Sequence, residues 1–281
     1  MSSSLQSDPP PELSVPPFNR LLEAQFFLPF LFYLVCWRSA TLFVQSFLWH
    51  DYPSFKQYRL RNLTICLVHS VISGLWSFTF LCSKPEVMFE QTIHWYEAWA
   101  AHLPIISIAY FVNDSLDMAA HELSRWTIEL YLHHAVSILA FLFAVLPQKF
   151  IPYAYWALLM EVNSIFLHIR SMMQISGTSS TYPRIFSSVQ YLNVVTFILF
   201  RYCVQCWKIK WAVSKIPEIH TCYSFITLGG GVTFLIINSI LFYRVLSSDG
   251  FLGQRFATNP NSRDEQHVVK IMGTKKKDKD N

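Results

Sequence analysis

The chain has 281 residues, of which 52% are hydrophobic, 16% are aromatic and only 14% are charged, with a net charge of +4. Soluble domains contain about 25% charged residues, and a soluble globule of this length has too little interior to bury so many apolar side chains. The composition therefore excludes an ordinary soluble domain and predicts a membrane protein.

Two polar tails flank the apolar part of the chain. Residues 1–20 are rich in Ser and Pro and lack an apolar segment, so we predict a disordered tail and no cleaved signal peptide. Residues 247–281 are polar and end in a run of lysines. Such a run is typical of a solvated tail or of contact with anionic lipid head groups, and we predict no nucleic-acid partner.

Seven apolar segments between the tails are long enough to cross a membrane as helices, which takes about 20 residues each. They lie at 24–48, 61–82, 103–120, 128–146, 150–170, 185–206 and 220–245. We therefore predict an all-α fold, a multi-pass transmembrane helical bundle of seven spans. The positive-inside rule places the C-terminus in the cytosol, and it leaves Lys208, just past the sixth segment, in a loop on the opposite side.

Polar and ionisable side chains recur within these segments at spacings of three and four residues, so each helix has one polar face. We predict that helices two to seven surround a common polar interior; the alternative is that these residues only form interhelical hydrogen bonds of about 1 kcal/mol or less. The candidate residues of a lipid-binding or polar interior are His69, Asp114, Asp117, His134, Glu161, Asn163, His168, Arg201 and Asn238.

One adjacent pair of histidines, His133 and His134, raises the question of catalysis or metal binding. Zinc needs three or four ligands at a defined spacing, and a membrane di-iron site needs several histidine boxes, so we predict no metal and no cofactor. General acid–base catalysis stays open, because Glu161 could fix the tautomer of His134 if their helices are neighbours. The catalytic candidates are His133, His134 and Glu161.

Several short blocks of the sequence resemble the TLC domain family, and most closely its calfacilitin-like branch. The blocks are Leu132-His133-His134-Ala135-Val136-Ser137, Arg61-Asn62-Leu63, Val68-His69-Ser70, Ala109-Tyr110-Phe111 with Asp114 and Asp117, Glu161-Val162-Asn163-Ser164, Leu167-His168-Ile169-Arg170 and Phe200-Arg201. The resemblance implies a TLC domain over residues 59–246, preceded by a first transmembrane helix and loop at 21–58. It also implies a six-helix TLC-type barrel with one additional N-terminal helix.

The resemblance further implies a regulator of membrane phospholipid composition and fluidity. Such a protein limits the incorporation of long-chain polyunsaturated acyl chains into membrane phospholipids and so makes the membrane more rigid. Its implied partners are membrane phospholipids or fatty acyl chains, together with enzymes of phospholipid remodelling. Its implied location is the plasma membrane, with the endoplasmic reticulum as the alternative because Lys277 and Lys279 match a K-x-K-x-x retrieval signal.

Departures from the ceramide synthases of the same family bear on the question of enzymatic activity. Those enzymes carry a His-Asp pair and a further Asp after the paired histidines, whereas this chain has Glu161-Val162 and Ile165 at the aligned positions. The ceramide synthase motif is therefore incomplete, and we expect a protein that is not an enzyme. Two alternatives stay open: a lipid acyltransferase-like enzyme that uses His134 and Glu161, and a lipid or small-molecule transporter.

Overall fold

The computed structural model describes residues 16–121 and 125–252, with the backbone alone at residues 125 and 126. Its helices are α1 (Ala24–Phe47), α2 (Ser54–Ser83), α3 (Pro85–Phe89), α4 (Ala98–His121), α5 (Arg125–Val145), α6 (Ile151–Leu158), α7 (Met160–Ser176), α8 (Thr178–Thr181), α9 (Pro183–Thr196), α10 (Val204–Lys215) and α11 (Thr221–Ser248). A 3-10 turn, Phe18–Leu22, precedes α1, and a π-helical segment, Phe197–Cys203, joins α9 to α10. The described part contains no β-strand, and the predicted all-α class is confirmed.

Each predicted span coincides with a continuous helical stretch. Leu159 alone separates α6 from α7, and α9, the π-helical segment and α10 follow one another without a break. Four helical segments are long and apolar enough to cross a membrane, namely Ala24–Phe47, Ser54–Ser83, Thr127–Val145 and Thr221–Ser248. The other three stretches contain more polar residues, so a total of seven spans remains a prediction.

The outer surface of the described bundle is apolar. Leu28, Phe32 and Val35 on α1 are exposed, as are Phe225 and Ile236 on α11, while many of the polar side chains lie inside. In water this arrangement would expose large apolar areas, whereas in lipid it leaves the polar groups with protein partners. The fold is that of a membrane protein.

In the described part of the chain, six helical stretches close into a ring, and α1 lies outside it. Helix α2 packs against α7, which packs against α9 and the π-helical segment; α10 packs against α11, α11 against α5, α5 against α4, and α4 against α2. Helix α1 covers α4 and α2 from outside. This ring with one additional helix is the predicted architecture.

The α2–α7 contact, the most extensive in the ring, depends on a glycine. A Cβ atom added to Gly74 would lie 2.9 Å from the backbone nitrogen of Val162 and 3.0 Å from the carbonyl carbon of Glu161. Only glycine allows two helix backbones to approach this closely. Gly74 thereby places the first turn of α7, and with it the candidate residue Glu161, against α2.

A contact between α4 and α6 replaces a backbone hydrogen bond that α4 lacks. Pro104 lies inside α4 and has no N–H, so the carbonyl of Ala100 lacks its usual helical donor. The hydroxyl of Tyr155 on α6 donates a hydrogen bond of 3.0 Å to that carbonyl. A membrane helix can contain proline when a neighbour satisfies the freed group in this way.

The folded part extends past both predicted tail boundaries. The rings of Phe18 and Phe143 lie 5.9 Å apart, and Arg20 donates a hydrogen bond of 2.8 Å to the carbonyl of Leu146, so residues 18–20 belong to the fold. At the other end, α11 continues to Ser248, and Asp249 forms an ion pair with Arg170. The tail predictions for residues 1–15 and 253–281 lie outside the described residues.

Candidate functional site

A narrow cavity of about 50 Å³, part of it open to the surroundings, lies inside the ring between α4, α5, α6, α7, α10 and α11. Its wall is mainly aromatic and aliphatic; the aromatic residues are Phe111, Phe141, Phe143, Phe150, Tyr153, Tyr223 and Phe234. Sites for small molecules typically combine an apolar wall with a few polar groups. The narrow, mainly apolar lining is suited to contact with an apolar chain.

Besides two tyrosines, three ionisable side chains line this cavity, namely His133, Glu161 and Lys208. Lys208 is only 4% exposed, and its Nζ lies 5.2 Å from the ring centroid of Tyr153 and 5.8 Å from that of Phe234. Within the described residues it forms no hydrogen bond and no ion pair. The cavity therefore combines an apolar wall with a buried ammonium group.

Glu161 connects the cavity to the polar contacts between α2 and α4. The hydroxyl of Ser70 donates a hydrogen bond of 2.7 Å to Oε2 of Glu161, and Nδ1 of His69 lies 4.0 Å from the same oxygen. Nε2 of His69 lies 3.2 Å from Oγ of Ser107, and the His69 ring stacks on Tyr110 with centroids 3.9 Å apart. Helices α2 and α4 thus fix the position of His69 beside Glu161.

A second polar cluster is centred on Arg201 in the π-helical segment. Its Nε donates to Oδ1 of Asn163 at 2.6 Å, Nη1 to Oδ1 of Asn238 at 2.7 Å, and Nη2 to Oγ of Ser164 at 2.8 Å. The guanidinium carbon lies 5.2 Å from the ring centroid of Phe197. Among the described residues, neutral oxygens alone bind this buried cation, so the cluster joins α7 to α11 without a carboxylate.

His134 has a different carboxylate neighbour from the one that we expected. Its Nε2 lies 3.7 Å from Oδ2 of Asp114, and its Nδ1 lies 3.1 Å from Oγ of Ser115. Asn62 donates a hydrogen bond of 2.6 Å to Oδ1 of Asp114. His134 is buried and is absent from the described lining of the cavity, whereas its neighbour His133 faces the cavity. A reaction in the cavity would therefore use His133.

The remaining candidates, Asp117 and His168, form none of the hydrogen bonds described above. Oδ1 of Asp117 lies 3.7 Å from Nδ1 of His121, and Asp117 lines, together with Asn62 and Asp114, an open polar cavity of about 500 Å³ between α1, α2 and α4. His168 is half-buried on α7, seven residues after Glu161. The described structure also contains no group of three or more His, Cys, Asp or Glu side chains that could hold a metal ion.

For Lys208 the prediction from the sequence is wrong. The sixth apolar segment ends near residue 206, which predicts a loop at Lys208, whereas α10 continues to Lys215. The signal was present in the spacing of the buried residues of α10, which are Val204, Gln205, Lys208, Trp211 and Ala212. Residues at such intervals share one helix face, and this face points into the ring.

Comparison with known proteins gives a consistent assignment for most of the chain. A family model described as TLC domain matches residues 59–247, a range that covers all or nearly all of every helix of the ring. TLC domain-containing protein 2 of Danio rerio is 33% identical over 195 residues, or 68% of this chain and 77% of the relative. TLC domain-containing protein 1 of Gallus gallus is 31% identical over 199 residues, or 70% and 76%. No solved structure matches the chain significantly.

Proposed function

Because the chain belongs to the TLC domain family, we propose that it regulates the phospholipid composition and fluidity of its membrane. It limits the incorporation of long-chain polyunsaturated acyl chains into membrane phospholipids and thereby makes the membrane more rigid. The membrane in question is the plasma membrane, and the endoplasmic reticulum is the alternative. Fatty acyl chains or phospholipids are its ligands, and enzymes of phospholipid remodelling are the proteins whose output it changes.

The observation that supports this function is the aromatic cavity within the ring. An acyl chain that enters it exchanges contact with mobile lipid tails for contact with fixed rings, so selection depends on shape and van der Waals packing. A protein that holds acyl chains in this way reduces their supply to remodelling enzymes. No catalytic step is required for this effect.

The proposal is tested by the lipid composition of cells that lack the protein and are supplied with polyunsaturated fatty acids. We expect these cells to contain more polyunsaturated phospholipid and to have a more fluid membrane than wild-type cells. Reintroduced wild-type protein restores both quantities. Ala140→Phe, which fills the cavity from α5, restores neither, because a large ring occupies the space of the acyl chain.

The matched control is Leu139→Phe, which adds a ring at the adjacent, exposed position of the same helix and is expected to restore both quantities. His134→Ala tests whether the His134–Asp114 pair contributes as well. A lipid profile that does not change when the protein is lost, even with supplementation, would contradict the proposal.

A lipid acyltransferase is the second candidate, because His133 and Glu161 line the same cavity. An imidazole and a carboxylate beside a bound acyl chain are suitable for general acid–base catalysis. N-acylation of a sphingoid base is disfavoured, since Val162 and Ile165 replace the acidic residues of the ceramide synthases.

Purified protein incubated with sphinganine and a long-chain acyl-CoA is therefore expected to form no ceramide, while an authentic ceramide synthase in the same assay forms it. Acylated sphinganine formed by the wild type and lost in His133→Ala would replace the regulatory proposal with an enzymatic one.

A further inference from the structure

Lys208 is a buried cation that lacks an anionic neighbour in the described structure. Its side chain lines the cavity, and its described contacts are the faces of Tyr153 and Phe234. Aromatic faces attract an ammonium group but accept its three N–H donors poorly. Burial of an ammonium group without hydrogen-bond acceptors carries a large desolvation penalty. An anion that enters the cavity would offset that penalty.

We propose that the cavity binds a long-chain carboxylate, a free fatty acid, with its carboxylate paired to Lys208 and its chain against the aromatic wall. This inference rests on the proposed function and specifies its ligand: the protein holds the free acid, before the acid is esterified into phospholipid. Tyr153 supplies a second donor at the same place, because its hydroxyl forms no hydrogen bond within the described residues.

The charge of the lining favours a carboxylate over a phosphate head group. Lys208 is the only Lys or Arg among the described lining residues. A phosphate presents more acceptor oxygens and a larger charge, and phosphate sites in proteins commonly use arginine forks or several donors. Glu161 also lines the cavity and would repel a strongly charged head group. One ammonium and one hydroxyl match the two oxygens of a single carboxylate.

The test measures binding of tritiated arachidonic acid, a long-chain polyunsaturated acid, to the purified full chain in detergent, with unlabelled arachidonic acid and methyl arachidonate as competitors. The two competitors have the same acyl chain and differ in the charge of the head. For the wild type we expect arachidonic acid to bind about tenfold more tightly than methyl arachidonate, which corresponds to about 1.4 kcal/mol. Lys208→Met is expected to abolish this preference and to leave the affinity for methyl arachidonate unchanged.

The control is Lys210→Met, on the exposed side of α10, which is expected to keep the wild-type preference. If Lys208→Met loses affinity for both compounds, Lys208→Arg decides: a retained preference for the acid supports the anchor, and its loss overturns it. Equal affinity of the wild type for acid and ester, or a preference that persists in Lys208→Met, overturns the anchor and leaves acyl-chain binding intact. Failure of the wild type to bind either compound overturns both the anchor and the proposed function.

Discussion

Arg201 occupies the interior of the ring because every described hydrogen bond that it donates ends on a fixed neutral oxygen. Two of these acceptors, the side-chain carbonyls of Asn163 and Asn238, lie on α7 and α11. The amide of Asn163 in turn donates to Oδ1 of Asn193 at 3.0 Å and to Oγ1 of Thr196 at 3.0 Å. One guanidinium therefore connects α7, α9, the π-helical segment and α11. The cluster stabilises the fold only if each buried donor and acceptor in it has a hydrogen-bond partner.

Replacement of Arg201 by leucine tests this connection. Arg201→Leu leaves the buried side-chain carbonyls of Asn163 and Asn238 without the donor that they now share, and each orphaned group costs about 1–3 kcal/mol. We expect a clearly lower thermal unfolding midpoint for the detergent-solubilised protein. Arg184→Leu, at an exposed position of α9, is the control and should leave the midpoint nearly unchanged. Equal midpoints for the two variants would show that the cluster does not stabilise the fold.

Helices α2 and α7 can approach each other closely because Gly74 has no side chain. The contact at Gly74 involves the backbone of α7 on the far side, and backbone atoms cannot move aside as a flexible side chain can. Because Glu161 belongs to the contacted peptide, the distance between the two helices also sets the position of its carboxylate beside Ser70 and His69. At the opposite extreme, Gly229 on α11 has open space around its missing Cβ.

A pair of glycine-to-alanine substitutions separates helix propensity from helix packing. Gly229→Ala is expected to stabilise the protein by about 0.5–1 kcal/mol, since alanine loses less backbone entropy in a helix. Gly74→Ala gains the same propensity but forces α2 away from α7, and overpacking of this kind costs about 1–3 kcal/mol. The measurement is the unfolding midpoint of both variants. A midpoint of Gly74→Ala at or above that of the wild type would mean that the two helices are not held at this distance.

At the scale of the whole molecule, the distribution of apolar and polar side chains is the reverse of that in a soluble protein. Apolar side chains cover the surface that meets lipid, while buried ionisable groups such as His134, Arg201 and Lys208 lie inside the ring. The bidentate pair of Arg244 on α11 with Glu129 on α5, at 2.8 Å for both bonds, and the Arg170–Asp249 pair join neighbouring elements near the C-terminal end of α11. These two ion pairs connect the C-terminal end of α11 to α5 and to α7.

The lysines that bear on the location of the protein lie outside the described part of the chain. We propose the plasma membrane, although Lys277 and Lys279 match a K-x-K-x-x retrieval pattern, which acts only from the cytosolic side. Surface labelling of intact cells should detect the wild type, and replacement of both lysines by serine should not change the labelled fraction. Absence of the wild type from the surface, together with appearance of the double variant there, would instead establish retrieval to the endoplasmic reticulum.

Much of the architecture followed from the sequence alone. The all-α class and the approximate position of each long helix were predictable, because lipid demands an unbroken apolar segment with internal backbone hydrogen bonds wherever the chain crosses it. The family was also predictable, since the blocks around His69, His134 and Glu161 occur in a specific order. These features depend on residues close together in the chain, and local patterns record them directly.

Which polar groups meet was decided only by the tertiary structure. His134 lies beside Asp114, and Glu161 lies beside Ser70 and His69, because the rotation of each helix depends on its packing with neighbours from distant parts of the sequence. The burial of Lys208 also depends on the tertiary structure: helical spacing puts it on one face with Val204 and Trp211, but only the closed ring places that face inside. Helical periodicity defines a polar face, but only the closed ring determines what that face contacts.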